Sequence, residues 1–182
     1  MEYKINIAGV ERKLSLFEVA DDLYIAAFIM LGDVEITEKS ASELLKKAPE
    51  FDVILTAECK SIPLAYEMAK QAGCRYVVAR KGLKVYMKNV ITAEVNSITT
   101  AHPQVLNIDE TATSELCGKR VLIVDDVIST GDSLKCLEIL CEKAGGIIAG
   151  KMAVLAEGDA AKRDDIIYLE PLPLFDKNGN IK

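Results

Sequence analysis

The sequence has no tryptophan, a single histidine and only 5% aromatic residues. Proteins that bind single-stranded nucleic acids stack the bases on aromatic side chains, so this composition argues against such a surface. The formal net charge of −6 argues against a broad DNA- or RNA-binding face as well. We therefore expect no nucleic-acid partner. A small anionic ligand is compatible with the composition, because one loop can be positive in an acidic protein.

The chain also shows no long apolar run and no paired cysteine motif. The longest apolar candidate, Leu23 to Leu31, is followed by Asp33 and is too short to cross a bilayer, so we expect no membrane partner. The five cysteines form no C-x-x-C pair and show no zinc-ligand spacing. Their number is odd and no export signal precedes them, so we expect reduced thiols and a cytoplasmic protein.

Strand-like and helix-like segments alternate from residue 51 onward. Residues 52–56 predict a buried strand, residues 62–72 a helix that Gly73 ends, and residues 75–79 a second strand. This βαβ unit implies a parallel sheet with a right-handed crossover. The length of 182 residues fits one domain, so we expect a single α/β domain over residues 1–182.

The flanking segments follow different patterns. Residues 3–31 look β-rich, and residues 37–47 predict an amphipathic helix. Residues 82–114 show no helical pattern, and we expect residues 90–97 and 105–108 to pair as a protruding hairpin. A long non-helical excursion between two core strands is often a lid or a binding loop.

The most informative stretch is Val121 to Ser133. Four apolar residues predict a buried strand, and Asp125 and Asp126 follow at the point where we expect that strand to leave the core. Next come a hydroxyl-rich turn around Gly131 and a helix-like pattern. The turn's N–H groups and the helix dipole favour a phosphate, while carboxylates accept hydrogen bonds from sugar hydroxyls or hold a hydrated Mg²⁺. The stretch therefore predicts a site for a phosphate ester that carries vicinal hydroxyls.

Two other classes of phosphate-binding protein do not fit this sequence. Phosphoacceptor receiver domains also have a strand that ends in two acids, but it lies near their N-terminus. Only 56 residues follow Asp126, too few to complete such a fold. Neither a Walker A pattern nor G-x-G-x-x-G is present, so the common nucleotide-binding loops are not supported.

Val121 to Ser133 resembles the phosphoribosyl-pyrophosphate (PRPP) signature of type I phosphoribosyltransferases. Thr56 to Ala65 resembles the pyrophosphate loop and following helix of the purine branch, and Arg80-Lys81 resembles the basic pair after the next strand. The resemblance covers residues 50–157 and is greatest to the adenine and xanthine enzymes. It implies a central, mostly parallel sheet flanked by helices, a flexible β-hairpin loop, and a small hood from residues 1–33 and 158–182.

The resemblance also implies roles for individual residues. Asp125 and Asp126 would bind the ribose hydroxyls of PRPP, directly or through Mg²⁺, and would be catalytic together with Lys60. The 5′-phosphate would be held by Ser129, Thr130, Gly131, Asp132 and Ser133. The pyrophosphate would be held by Ala57, Glu58, Cys59 and Lys60. Because the basic residue at the position of Lys81, beside Arg80, often reaches the neighbouring subunit's site in this family, a homodimer is implied.

The implied reaction transfers 5-phosphoribose from PRPP to a free purine, giving a nucleoside 5′-monophosphate and pyrophosphate in purine salvage. The alternative is a non-catalytic PRPP-binding regulator related to the effector domain of a purine repressor. A third possibility is a phosphoribosyl enzyme for another base, or a structural subunit of a purine-salvage complex. The resemblance does not decide whether the accepted purine is adenine or a 6-oxopurine such as xanthine, because residues 96–100 lack the adenine enzymes' Glu-Tyr-Gly pattern. We expect Pro171 to end the last strand and the tail's Leu172, Leu174 and Phe175 to form an apolar wall for the base.

Overall fold

The computed structural model describes residues 1–95 and 103–182, with ten strands and four α-helices in those ranges. The N-terminal part contains β1 (Glu2–Ile7), β2 (Val10–Ala20), β3 (Leu23–Ala26), α1 (Val34–Lys47), β4 (Val53–Ala57), α2 (Ile62–Ala72) and β5 (Arg75–Ala79). The C-terminal part contains β6 (Ile91–Val95), β7 (Gln104–Ile108), α3 (Glu110–Leu116), β8 (Arg120–Ile128), α4 (Asp132–Lys143), β9 (Ile147–Glu157), a 3-10 helix (Gly158–Lys162) and β10 (Ile167–Leu172).

Five parallel strands form the central sheet in the order β10-β9-β8-β4-β5. The chain moves outward from β4 to β5 on one side and from β8 through β9 to β10 on the other, so the strand order reverses between β4 and β8. In open α/β sheets, ligands bind outside the carboxyl ends of the strands at such a reversal. The fold therefore places a crevice beside the ends of β4 and β8.

Each face of the sheet has its own hydrophobic core. The first core lies between the sheet and α1, α2 and the N-terminal strands, and it contains the fully buried residues Leu44, Leu64 and Met68. The second contains α4 and the β6–β7 hairpin, with Leu106 and Leu137 fully buried. Because both faces are covered, the inner strand β4 and residues 121–124 of β8 are apolar except for Thr56, as expected for buried parallel strands.

Strand β8 continues through the two acids, and our expectation that it ends there is wrong. Asp125 pairs with Ala153, and the pairing with β9 continues to Ile128 and Ala156. On the other side β8 pairs with β4 only as far as Ile123. The acids therefore stay in the sheet on one side and face an opening on the other. The reason is that β9, at 11 residues, is long enough to continue the ladder beyond the end of β4.

Two further boundaries differ from the sequence prediction. Helix α3 lies inside the segment that showed no helical pattern; its residues ETATSEL are poor in apolar side chains, and Asp109 starts it by accepting a hydrogen bond from the Ala112 N–H at 3.0 Å. Pro171 lies inside β10 and does not end it. A proline is tolerated there because β10 is an edge strand, with an unpaired side.

The β6–β7 hairpin forms as predicted, with Ile91 opposite Ile108 and Val95 opposite Gln104. The connecting residues 96–102, which include His102 and the stretch that bears on the base, lie outside the described residues. None of the helices in the described part of the chain combines the length and the apolarity needed to cross a membrane.

The C-terminal tail packs against the antiparallel β1–β2–β3 sheet. Phe175 pairs with Tyr24 through two backbone hydrogen bonds of 2.9 Å, and its ring centroid lies 5.0 Å from that of Tyr3. Phe175 and Leu172 are each 1% exposed. These two residues belong to the core, so the expectation that they form an accessible wall for a base is wrong; the sequence did not show that β1–β3 would cover them.

Candidate functional site

Three loops meet at the carboxyl edge of the sheet. One follows β4 at residues 58–61, one follows β5 at residues 80–81, and one follows β8 at residues 129–131. The predicted site residues all lie in these loops, in the last residues of β4 and β8, or in the first turn of α4. The parallel register of β4, β5 and β8 brings together segments that are up to 76 residues apart in sequence (133 − 57).

The acid pair is almost completely buried at the end of β8. Asp125 is 9% exposed and Asp126 is 3% exposed. The Asp126 N–H donates to Asp125 Oδ1 at 2.9 Å. Burial, together with the negative charge of Asp126, raises the pKa of Asp125 to about 7. Two carboxylates held out of water beside an open crevice are suited to accept hydrogen bonds from hydroxyl groups of a ligand.

Lys60 is the cation nearest to this pair within the described ranges. Its Nζ lies 3.2 Å from Asp126 Oδ2, and its side chain is 54% exposed. The contact lacks hydrogen-bond geometry, so Asp126 Oδ2 accepts no hydrogen bond from residues 1–95 or 103–182. A buried carboxylate oxygen without a donor is costly unless a ligand or solvent satisfies it. The Lys60 ammonium compensates part of the charge of this oxygen, and the oxygen's hydrogen-bonding capacity is available to a ligand or to solvent.

A hydroxyl network links the β4 loop to β8. Thr56 Oγ1 donates to the carbonyl oxygen of Val124 at 2.8 Å and lies 2.8 Å from Ser61 Oγ. Thr56 and Ser61 are both buried. The network replaces the main-chain pairing that ends at Leu55, and it fixes the width of the crevice between the two strands. Thr56 lies in the segment that resembles the pyrophosphate loop, but its hydroxyl contacts were not predicted, although a threonine at the end of a buried apolar strand is a usable signal.

The β4 and β5 loops are joined through Glu58. Glu58 Oε2 accepts a hydrogen bond from the Lys81 N–H at 3.1 Å, and Oε1 lies 3.6 Å from Arg80 Nη1. The peptide between Glu58 and Cys59 is cis. Cys59 and Lys60 are exposed at the tip of the loop. Glu58 is therefore bound to its neighbours, whereas Lys60 contacts Asp126 and keeps 54% of its side chain exposed to the crevice mouth or to solvent.

The third loop turns sharply into α4. Gly131 has φ of +87°, a conformation that favours glycine, and it precedes the first helical residue, Asp132. Thr130 Oγ1 donates to Asp132 Oδ2 at 2.8 Å, so this carboxylate is directed toward the Thr130 hydroxyl. The loop lines a cavity of about 190 Å³ together with Asp125 and Gln104. Gln104, at the start of β7, is a lining residue that sequence analysis missed.

Residues 32–171 match the family of the phosphoribosyl transferase domain. The chain belongs to this phosphoribosyltransferase family. It is 27% identical over 132 residues to a hypoxanthine/guanine phosphoribosyltransferase of Ferroglobus placidus, covering 72% of this chain and 67% of that protein. It is 34% identical over 118 residues to an adenine phosphoribosyltransferase of Bifidobacterium longum, covering 64% of this chain but only 58% of that protein.

A solved phosphoribosyltransferase structure shares the fold. The adenine phosphoribosyltransferase of Thermoanaerobacter pseudethanolicus superposes with a TM-score of 0.71 at 22% identity, covering 87% of this chain and 95% of that chain. The predicted family and the predicted α/β fold with a central parallel sheet are therefore confirmed. The three segments that carry the resemblance, residues 56–65, 80–81 and 121–133, meet at one edge of the sheet in this fold.

Proposed function

We propose that the protein is a purine phosphoribosyltransferase that joins the 5-phosphoribosyl group of PRPP to a free purine base and releases pyrophosphate, as in purine salvage. The observation that carries the proposal is the crevice between β4 and β8, which has a phosphate-type loop at one end and a loop with an exposed lysine at the other. A ligand with phosphate at one end and pyrophosphate at the other matches this arrangement. The names of the relatives, adenine and hypoxanthine/guanine phosphoribosyltransferase, support a purine as the acceptor.

The acid pair would hold the ribose of PRPP. Asp125 and Asp126 lie between the two loops, and the free oxygen of Asp126 accepts a hydroxyl hydrogen without breaking a protein hydrogen bond. The N–H groups at the start of α4 would hold the 5′-phosphate, with the helix dipole favouring its charge. The side-chain contributors to this phosphate subsite would be Ser129, Thr130 and Ser133.

The pyrophosphate end would lie against Ala57, Glu58, Cys59 and Lys60, with Arg80 and Lys81 adjacent. Breaking the bond between the ribose C1 and pyrophosphate leaves positive charge on the ribose ring and negative charge on the departing group. The exposed ammonium of Lys60 and the loop N–H groups would stabilise that departing anion. A nitrogen of the purine then forms the new bond to C1, and its proton leaves to solvent or to a base.

Mg²⁺ fits this site as a partner of the substrate. No group of three or more potential metal ligands occurs in residues 1–95 and 103–182, so this part of the chain offers no ready-made metal cage. Mg²⁺ usually keeps several waters and uses one or two carboxylates together with phosphate oxygens. Asp125 and Asp126 would provide those carboxylates, directly or through water. When bound, Mg²⁺ would neutralise charge on the pyrophosphate.

A homodimer would use the surface around the edge strand β5. Tyr76 on β5 is 36% exposed and stacks edge-on against Tyr66 of α2, with ring centroids 6.3 Å apart. Leu83, Val85 and Tyr86, directly after the basic pair, are 63% exposed or more. Exposed apolar patches of this kind mark interaction sites. Lys81, whose N–H is held by Glu58, lies next to this patch and would reach the partner's crevice.

We also place the protein in the cytoplasm, since its five cysteines are all free.

Pyrophosphate release tests the proposal. The protein is incubated with PRPP, Mg²⁺ and one base at a time: adenine, guanine, hypoxanthine, xanthine, uracil or orotate. We expect release with a purine and none with the two pyrimidines. The variant Lys60→Met tests the role of the loop lysine. It removes the charge beside the leaving group and keeps a side chain of similar length, and we expect it to lower kcat. PRPP binding without release for any base would refute the enzyme and support the regulatory alternative.

A further inference from the structure

Arg163 lies against the loop that precedes α4, although it is 32 residues further along the chain (163 − 131). It follows the 3-10 helix, and its N–H donates to the carbonyl oxygen of Ala160 at 3.1 Å. A Cβ built on Gly131 would lie 2.9 Å from Arg163 Nη1. The guanidinium therefore occupies the space that a side chain at position 131 would need. The positive φ of Gly131 is what favours glycine here, and the missing side chain also leaves room for the tip of Arg163.

A partly exposed ion-pair network holds the guanidinium in this orientation; the Arg163 and Asp165 side chains are 33% and 43% exposed. Arg163 Nε and Nη2 donate to the two oxygens of Asp165, each at 2.8 Å. Asp165 also binds Lys151, whose Nζ lies 2.9 Å from Glu138 of α4. Lys151 and Glu138 are 16% and 14% exposed. The network fixes one edge of the arginine fork, and Nη1, on its other side, donates to no residue in the described ranges.

The charge of the site favours a cation at this end. The five residues 129–133 contain one acid, Asp132, and no base, and the acid pair of β8 adds two more carboxylates nearby. Lys60 serves the opposite end of the crevice, beside Asp126. A phosphate monoester brings further negative charge to a loop that is already acidic. The backbone N–H groups contribute partial charges only, whereas an arginine is positive at every pH at which the protein is folded.

We propose that Arg163 is a specificity-determining residue for the 5′-phosphate: its Nη1 edge supplies the positive charge that lets an acidic loop accept a phosphate monoester dianion. The proposal deepens the function proposed above and rests on it for the identity of the full substrate. The charge of Arg163 offsets that of Asp132 in the loop. Asp165 binds the guanidinium directly, and Lys151 and Glu138 hold Asp165 in place. Arg163 thus acts as the counterpart of Lys60 at the other end of the crevice.

Calorimetric titrations with ribose 5-phosphate, ribose and pyrophosphate test the role of Arg163. We expect Arg163→Met to bind ribose 5-phosphate about tenfold more weakly, the loss typical of one charge-assisted contact, with a weaker dependence on salt. Pyrophosphate binding should change little, because that ligand occupies the loop of Lys60. Arg163→Lys should restore part of the affinity, since it keeps the charge but not the fork. In turnover, KM for PRPP should rise while kcat is unchanged.

Arg120→Met is the matched control. Arg120 makes the same two-point contact with an aspartate, to Asp52 at 3.2 and 2.9 Å, but it lies at the amino end of β8. It should leave ribose 5-phosphate binding unchanged. Equal affinity of Arg163→Met and the wild type, an equal loss of pyrophosphate affinity, or an equal effect of Arg120→Met would overturn the inference. So would a wild-type protein that binds no ribose 5-phosphate. If Arg163→Met loses affinity but the wild type turns over no base, the proposed function fails and the role of Arg163 stands.

Discussion

The buried acid pair should lower the folding stability of the ligand-free protein, because burial disfavours the ionised form of Asp125. We expect Asp125→Asn to raise the stability of the ligand-free, metal-free protein at pH 8. The pKa of Asp125 is raised from 3.8 to about 7 by burial and by the charge of Asp126. Each pKa unit corresponds to about 1.4 kcal/mol, so the ionised form costs at most about 4 kcal/mol of folding free energy. Asparagine keeps the oxygen that accepts the Asp126 N–H, so the hydrogen bond at 2.9 Å is retained.

The pH dependence gives the sign of this effect. Between pH 4 and pH 7 the folded state binds the Asp125 proton more tightly than the unfolded state, so wild-type stability falls as the pH rises through this range. The difference between Asp125→Asn and the wild type should therefore be near zero at pH 4 and largest above pH 7. Thermal unfolding in EDTA at several pH values measures it. For a domain of this size the gain corresponds to roughly 10 °C in melting temperature at pH 8.

Asp52→Asn provides the control of opposite sign. The pKa of Asp52 is lowered to about 2 by its hydrogen bonds from Arg120, so removing its charge should destabilise the protein at pH 8. The reasoning would be refuted if Asp125→Asn melted at or below the wild-type temperature at pH 8, or if its gain were the same at pH 4 and pH 8.

Three other substitutions test separate parts of the structure. Gly131→Ala should lower the free energy of unfolding by about 1–2 kcal/mol in thermal denaturation, because of its positive φ and its contact with Arg163; unchanged stability would contradict the geometry. Glu58→Gln should strengthen pyrophosphate binding about threefold in calorimetry, because a negative charge leaves that loop, and weaker binding would argue against the assigned subsite. Phe175→Ala should cost about 3–5 kcal/mol in urea denaturation, and a loss under 1 kcal/mol would mean that the tail is not part of the core.

The sequence predicted the elements whose signals are local. Helix α2 and strand β5 have the predicted bounds, because a proline in the first turn, Gly73 and a short apolar run mark their ends directly. The loops after β4, β5 and β8 also lie at one sheet edge, since these strands are parallel. The length of β8 could not be predicted, because the acids stay in the sheet only through their pairing with β9.

Contacts that depend on distant segments were beyond the sequence. Arg163 lies in an ordinary charged stretch, and nothing near it indicates that Gly131 is its neighbour. Phe175 reads as part of an exposed tail, and its burial depends on β1–β3 folding over it. The short helix α3 has too few apolar residues to produce a helical period, and its cap at Asp109 is the one local sign of it.

Binding of PRPP to the acid pair tests the central claim most directly. Calorimetry with PRPP and Mg²⁺ compares the wild type with the double variant Asp125→Asn and Asp126→Asn, whose folding is checked by circular dichroism. We predict that the wild type binds PRPP and that the folded double variant loses measurable binding, because the two carboxylates proposed to hold the ribose are both removed. Unchanged PRPP affinity in the double variant would show that the ligand does not occupy the crevice between β4 and β8.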